Sequence, residues 1–180
     1  PNTVTNLKAV WQEATIVFVS KNGNDSNDGK LPESPVKTLT TAFSKLNSSG
    51  TVENNIIIIM NEIEWNSSQT LEGNATITSL YAGVDYETSQ NAELKISSNM
   101  IIRGDIIFDN IKLYSNSNSN MLISNYSGDI TLGRNVSTPD GKYTFGAIIG
   151  GNYSAETKTG ELGTHTIRVE AGRYEKIVAG

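Results

Sequence analysis

Short apolar runs alternate along this chain with clusters of Asn, Ser, Thr, Gly and Asp, and nearly all of the runs are too short for helices. The first, Thr15-Ile-Val-Phe-Val-Ser20, reads as a strand, since β-branched and aromatic side chains suit a pleated backbone. A turn-rich loop, Lys21-Asn-Gly-Asn-Asp-Ser-Asn-Asp-Gly29, comes next. Ser34 then stands as an N-cap with Pro35 at the first helical position, and Val36, Leu39, Phe43 and Leu46 recur at three- and four-residue spacing. This predicts an amphipathic helix from Pro35 to Leu46, stopped by Asn47-Ser-Ser-Gly50. The run Ile56-Ile-Ile-Ile-Met60 has no polar alternation, so it predicts a strand covered on both faces. Residues 15–60 therefore read as strand, polar loop, covering helix and buried strand. Residues 1–14 read as a lead-in, with an ordered tail as the preferred reading; the alternatives have Leu7, Val10 and Trp11 forming one helical turn or packing on the first strands.

Beyond Met60 the apolar clusters are three to seven residues long: Ala75 to Tyr81, Ala92 to Ile96, Met100 to Ile102, Asp105 to Phe108, Ile111 to Tyr114, Met121 to Ser124, Asp129 to Leu132, Tyr143 to Ile149, Thr164 to Glu170 and Glu175 to Val178. No helical periodicity is sustained there, so they read as strands. A sandwich also has many short strands. Stacked repeats are preferred because apolar centres at Ile57, Ile77, Ile101, Leu122 and Ile148 step by roughly 20 to 26 residues. A second repeat pairs Phe145-Gly-Ala-Ile-Ile-Gly-Gly151 with Tyr174-Glu-Lys-Ile-Val-Ala-Gly180, where glycines suit tight corners. The chain stops inside that second copy, which predicts further repeats in a longer protein and a repeat domain, 15–180, truncated at its C-terminal end.

Composition narrows the class. With 180 residues, 18% charged residues and no cysteine, the chain suits one β-rich domain held by packing and ladder hydrogen bonds, without disulfides. Its net charge of −5 with scattered basic residues gives no footprint for nucleic acid. No apolar run approaches the length of a membrane span, and Pro1-Asn-Thr-Val is not a signal peptide.

Candidate chemistry is sparse. Asn24, Ser26 and Asp28, ahead of Gly29, partly match a calcium loop, although Pro35 stands where its twelfth-position acid belongs; a plain Asx-rich turn is the preferred reading. Calcium is thus the only candidate cofactor. Arg103-Gly104-Asp105 spells an adhesive tripeptide but sits between two strand signals, where Gly-Asp is ordinary turn chemistry. His165 has no nucleophile beside it and reads as a solvent-facing strand residue. Glu62 and Glu64 share a strand face and Asp105 and Asp109 flank a strand, so each is a candidate acid/base pair; no catalytic residue is assigned. Trp65, Tyr81, Tyr86 and Tyr114 are candidate sugar-stacking residues, alongside Tyr126, Tyr143, Tyr153 and Tyr174, unless they stack inside the repeats. Asn-X-Ser/Thr triplets at Asn24, Asn47, Asn66, Asn74, Asn125, Asn135 and Asn152 accept glycans in a eukaryotic secreted protein and are turn by-products in a bacterial one.

The order FVSKNGNDSNDG, then PESPVKTLTTAFSKL, then an apolar strand resembles the N-terminal part of bacterial extracellular right-handed parallel β-helix proteins of the pectate-lyase-like superfamily. The later NATITSLYAGVDYETSQNAEL resembles a segment of large secreted or wall-attached surface proteins of clostridial type. The resemblance implies an all-β parallel solenoid with a short N-terminal capping α-helix, and its motifs are architectural. It implies a rigid monomeric module outside a bacterial cell or on its surface, structural or adhesive, meeting a polysaccharide or a host-surface component. Lyases of that superfamily hold calcium with carboxylates on adjacent coils beside a basic residue, a role open here to Arg103, Arg134, Arg168 or Arg173. The alternatives are a fragment of a polysaccharide lyase or glycoside hydrolase, and a module of a trimeric phage tail fibre.

Overall fold

The structure, a computed structural model, describes residues 14–48, 54–124, 128–150 and 166–178. Expectations for Leu7, Val10, Trp11, Tyr126, Tyr153, His165 and the triplets at Asn125 and Asn152 lie outside those residues. Among the described residues the fold is mainly β, with several parallel sheets and two helices.

The chain begins in sheet A as β1 (Thr15–Val19), forms α1 (Leu39–Ser48), and returns to sheet A as β2 (Asn55–Ile59). It then passes to sheet B as β3 (Glu62–Trp65), to sheet C as β4 (Thr70–Glu72) and back to sheet A as β5 (Ala75–Thr78). An excursion follows: the antiparallel pair β6 (Leu80–Tyr81) and β7 (Val84–Asp85), then α2 (Tyr86–Gln90). The rotation resumes with β8 (Glu93–Ile96) in B, β9 (Met100–Arg103) in C, β10 (Ile106–Phe108) in A, β11 (Ile111–Ser115) in B and β12 (Met121–Ser124) in C. It ends with β13 (Ile130–Leu132) in A, β14 (Val136–Ser137) in B, β15 (Ala147–Gly150) in C, β16 (Ile167–Val169) in A and β17 (Lys176–Val178) in C. Each circuit lays new strands parallel to earlier ones, so equivalent side chains come into register.

That register builds the core. Ile57 lies beside Ile77, Ile77 beside Phe108 and Phe108 beside Leu132, all fully buried. Leu94 and Leu113 align in sheet B, and Leu122 and Ile148 in sheet C, again with no exposed surface. Phe108 also meets Phe145 edge-on, with ring centroids 6.1 Å apart. The expected spacing is partly met: Ile57 with Ile77 and Leu122 with Ile148 are true neighbours. Ile101, however, belongs to sheet C beside Ile123, because the excursion lengthens one circuit. The repeat read in the last third is a real stack, with Ala147, Ile148 and Ile149 opposite Lys176, Ile177 and Val178.

The helix starts later than Pro35. Val36 forms a parallel bridge with Val19, its N–H donating to the Phe18 carbonyl (2.9 Å) and its carbonyl accepting from Ser20 N–H (2.9 Å). Residues 35–36 are thus drawn into the edge of sheet A, which overrides the N-cap signal at Ser34. Thr38 caps instead, its hydroxyl accepting from Thr41 N–H at 3.2 Å. Leu39, Ala42, Phe43 and Leu46 face inward from α1 onto β1 and β4, as the apolar stripe predicts.

Asp25 holds the loop to this helix start. Its Oδ1 accepts from the backbone N–H groups of Lys37 and Thr38 (both 2.9 Å), and its Oδ2 from the Thr38 hydroxyl (3.1 Å). Burial pushes the carboxyl up, but the hydrogen bonds from Thr38, Lys37 and Thr41 together outweigh it and leave the pKa below the ordinary 3.8. A depressed carboxylate pKa contributes stability above the unfolded value, and that contribution disappears as pH falls through the folded one. Asp25→Asn should therefore cost about 1 kcal/mol at pH 7, given its exposure. The gap from the parent should narrow as pH falls below 3.8 towards the lowered folded pKa, measured by urea unfolding across that acid range.

Candidate functional site

The outward side of sheet B carries the densest ordered chemistry among the described residues. Because side chains alternate along a strand, β3, β8 and β11 bury Ile63, Leu94 and Leu113 and turn their charged residues outward. Parallel register then lines up two rows. One runs Glu62, Glu93, Lys112 and Ser137; the other runs Glu64, Lys95 and Tyr114.

Charges of opposite sign meet across the strands. Lys95 Nζ lies 2.8 Å from Glu64 Oε1, Lys112 Nζ 2.9 Å from Glu93 Oε2, and Lys21 Nζ 3.5 Å from Glu62 Oε2. The Ser97 hydroxyl also donates to Glu64 Oε1 at 2.6 Å, and the Tyr114 hydroxyl donates to Glu93 Oε1 at 3.0 Å. The hydrogen bond from Lys95, helped by Ser97, holds the Glu64 carboxyl below its ordinary range, and the same bond raises Lys95. Burial, with Glu93 adding to it, pushes the Tyr114 phenol up to about 12. Glu64 is thus ionised at neutral pH while Lys95 and Tyr114 keep their protons, an arrangement that offers charged acceptors and donors. Glu93→Gln removes the second cause and keeps the first, so the Tyr114 transition should move from about 12 part of the way towards 10. Ultraviolet absorbance during alkaline titration reads that shift.

Two cavities flank this face. One, of about 350 Å³, opens between α2 and the far strands beside Glu87, Lys112 and Ser137, where the Ser137 hydroxyl donates to Glu87 Oε1 at 3.0 Å. Asp85 fixes α2 there, its carboxylate accepting from Glu87 N–H at 3.0 Å and the Thr88 hydroxyl at 2.7 Å. The other, of about 250 Å³, lies between β3 and the start of α1, lined by Lys21, Lys37, Leu39, Glu62, Glu64 and Trp65.

The four candidate aromatics do not form one stacking surface. Trp65 is buried and its indole N–H donates to the Asn99 carbonyl at 2.9 Å; Tyr86 is buried as well. Tyr81, half-buried, meets Phe18 edge-on with centroids 5.2 Å apart. Tyr114 alone of the four lies on the sheet B face, half-buried. Elsewhere, the guanidinium of Arg173 lies 5.1 Å from the centre of the Tyr143 ring, and burial pushes Tyr174 up to about 12.

Asn24, Ser26 and Asp28 are engaged within their loop. Asn24 Oδ1 accepts from Ser26 N–H (2.9 Å) and Asp28 Oδ1 from Lys30 N–H (3.1 Å), the geometry of Asx turns. Among the described residues no three His, Cys, Asp or Glu side chains gather as metal ligands. Asp105 lies at a corner rather than in an acid pair with Asp109: its Oδ1 accepts from Asp129 N–H at 2.9 Å, while Asp109 Oδ1 accepts from Asn135 N–H at 3.3 Å. Arg103 of the same tripeptide lies 3.2 Å from Glu72, and Arg134 and Arg168 lie near Glu170.

Sequence reasoning passed over Glu93, Lys95 and Lys112. The available signal was the alternation in Glu62-Ile-Glu-Trp65, Glu93-Leu-Lys-Ile96 and Ile111-Lys-Leu-Tyr114. It was masked by unequal spacing, since Glu64 and Lys95 are 31 residues apart whereas Glu93 and Tyr114 are separated by 21. Compared with family models, curated proteins and solved structures, the chain has no match in any of the three.

Proposed function

We propose that this chain is a right-handed parallel β-helix module of a bacterial secreted or surface protein, a stiff body that presents its sheet B face to a polysaccharide or host-surface component. The reading is carried by the two in-register rows of Glu62, Glu93 and Lys112 and of Glu64, Lys95 and Tyr114. A flat lattice of paired charges supplies both hydrogen-bond donors and acceptors, which suits the hydroxyls of a polyhydroxylated ligand. The rotation through three parallel sheets supports the β-helix assignment, and the inward-facing stripe of α1 supports its role as the N-terminal cap.

Binding is favoured over turnover. Glu62 and Glu93 do sit side by side on neighbouring strands, the placement a lyase uses for calcium. Yet Glu93 is already bonded to Lys112 and Tyr114, and Glu64 to Lys95 and Ser97. A base near neutral pH needs a group poised to lose its proton, and Lys95 and Tyr114 are both shifted the other way. A glycan array probed with the purified chain, with and without calcium, tests the reading. The expected result is retention of one glycan class in both conditions, weakened by Lys112→Ala, with no shortened products. Cleavage of a bound polysaccharide replaces this reading with the enzymatic one.

A further inference from the structure

The three sheets are closed unequally at their N-terminal ends. In sheet A, the outer edge of β1 is covered: Phe18 N–H donates to the Gly29 carbonyl (2.8 Å), and Val36 N–H donates back to the Phe18 carbonyl (2.9 Å). In sheet C, α1 lies against β4 and the Asn47 side-chain amide donates to the Glu72 carbonyl at 2.6 Å. In sheet B, β3 is the terminal strand, and among the described residues the first circuit, which gives sheet A its β1, supplies no counterpart beside it.

The edge of β3 faces the 250 Å³ cavity. That cavity is lined by inward-facing Ile63 and Trp65 and also by outward-facing Glu62 and Glu64, so it runs along the strand's edge instead of over one face. Lys21, Lys37 and Leu39 line it as well. The Trp65 carbonyl accepts from Ser97 N–H at 2.8 Å and so points to β8. Backbone groups alternate sides along a strand, which turns the N–H and carbonyl of Glu62 and Glu64 the other way, into the cavity. Among the described residues no backbone or side-chain group meets them.

We propose that this edge is a docking site for a short extended peptide of another protein, which adds to sheet B parallel to β3 as its missing strand. The ladder that β8 makes on the other edge defines the occupant, because a strand there must match the same spacing and polarity. It needs an aliphatic side chain at the position level with Ile63, to lie against Leu39, and a donor such as lysine level with Glu64, as β8 offers Leu94 and Lys95. A free edge of this kind is otherwise an aggregation hazard, and Glu62 and Glu64 supply the charges that discourage indiscriminate pairing. The site shares Glu62 and Glu64 with the proposed glycan face, but it rests on the backbone edge of β3 and not on sugar binding.

The probe is the capped hexapeptide Ala-Glu-Leu-Lys-Ile-Ser, a copy of residues 92–97. Hydrogen exchange followed by nuclear magnetic resonance should show fast-exchanging Glu62 and Glu64 amides in the free protein, slowed at least tenfold at saturating peptide. The same peptide with its leucine nitrogen methylated should give no protection. Glu64→Pro, which an edge strand tolerates but which deletes the cavity-facing N–H, should abolish binding, whereas Glu64→Gln should retain it. Slow exchange of both amides without peptide overturns the proposal, as does equal binding of the methylated peptide, protection confined to other strands, no binding at millimolar peptide, or a β3-mediated dimer of the chain.

Discussion

Gly104→Ala should lower the stability of this protein by about 3 kcal/mol and its thermal midpoint by roughly 6 to 12 °C. Gly104 occupies the corner between β9 and β10 at φ +134°, a region costly for any residue with a side chain. An added Cβ would also stand 2.5 Å from the Gly73 carbonyl oxygen and 2.7 Å from Asn74 Oδ1. Neither neighbour can retreat. The Gly73 N–H is bonded to the Arg103 carbonyl (2.8 Å), and Asn74 Oδ1 accepts from Asp105 N–H (2.8 Å). The next circuit repeats the arrangement, since a Cβ on Gly128 would collide with the Gly104 carbonyl and Asp105 accepts from Asp129 N–H. Asp129 in turn accepts from Thr166 N–H at 2.7 Å. Gly83→Ala is the control: its φ is +82°, but nothing lies within 4 Å of the new carbon, so only the backbone term of about 1 kcal/mol applies. Thermal and urea unfolding of both variants measure the difference, and equal losses would mean that the corners are not closely stacked.

Phe108→Ala should cost about 3 to 5 kcal/mol, while Ile107→Ala, one residue away, should cost less than about 1 kcal/mol. Phe108 is fully buried between Ile77 and Leu132 in sheet A and meets Phe145 across the interior. Removing its ring leaves a cavity that strands held by ladders on both sides cannot collapse to fill. Ile107 points outward and is 40% exposed. A double-mutant cycle of Phe108 and Phe145 to leucine should give a coupling of about 0.5 to 1.5 kcal/mol, the edge-on ring contribution. Urea unfolding measures all of these. A larger loss at 107 than at 108 would show that the inward and outward faces of β10 are exchanged.

Much of this architecture was legible in the residues. Short β-branched runs such as Ile106-Ile-Phe108 and Ile111-Lys-Leu-Tyr-Ser115 are strands, and the stripe of Leu39, Phe43 and Leu46 is the buried side of a helix. Local pattern suffices there, because the period of the apolar positions already states which face must leave water. It failed at Pro35, where a local helix-start signal competed with hydrogen bonds from β1 and lost. It also missed the five-residue α2, which is too short for any period to register and is held by Asp85 at its start and Asn91 at φ 54° at its end. The corner motif Gly73-Asn74, Gly104-Asp105 and Gly128-Asp129 is visible in hindsight, but its spacing shifts from 31 to 24 residues.

Sequence alone determined that the chain is built from many short strands with one amphipathic helix near its start, since those depend on side-chain shape and on apolar periodicity within a few residues. Only the tertiary structure decided which strands become neighbours. Register across circuits of unequal length brings Glu64 to Lys95, Glu93 to Lys112 and Tyr114, and leaves β3 at the end of sheet B among the described residues. Those pairings join residues far apart in the chain, and the loops between them vary in length because a corner can absorb extra residues without disturbing the ladders on either side.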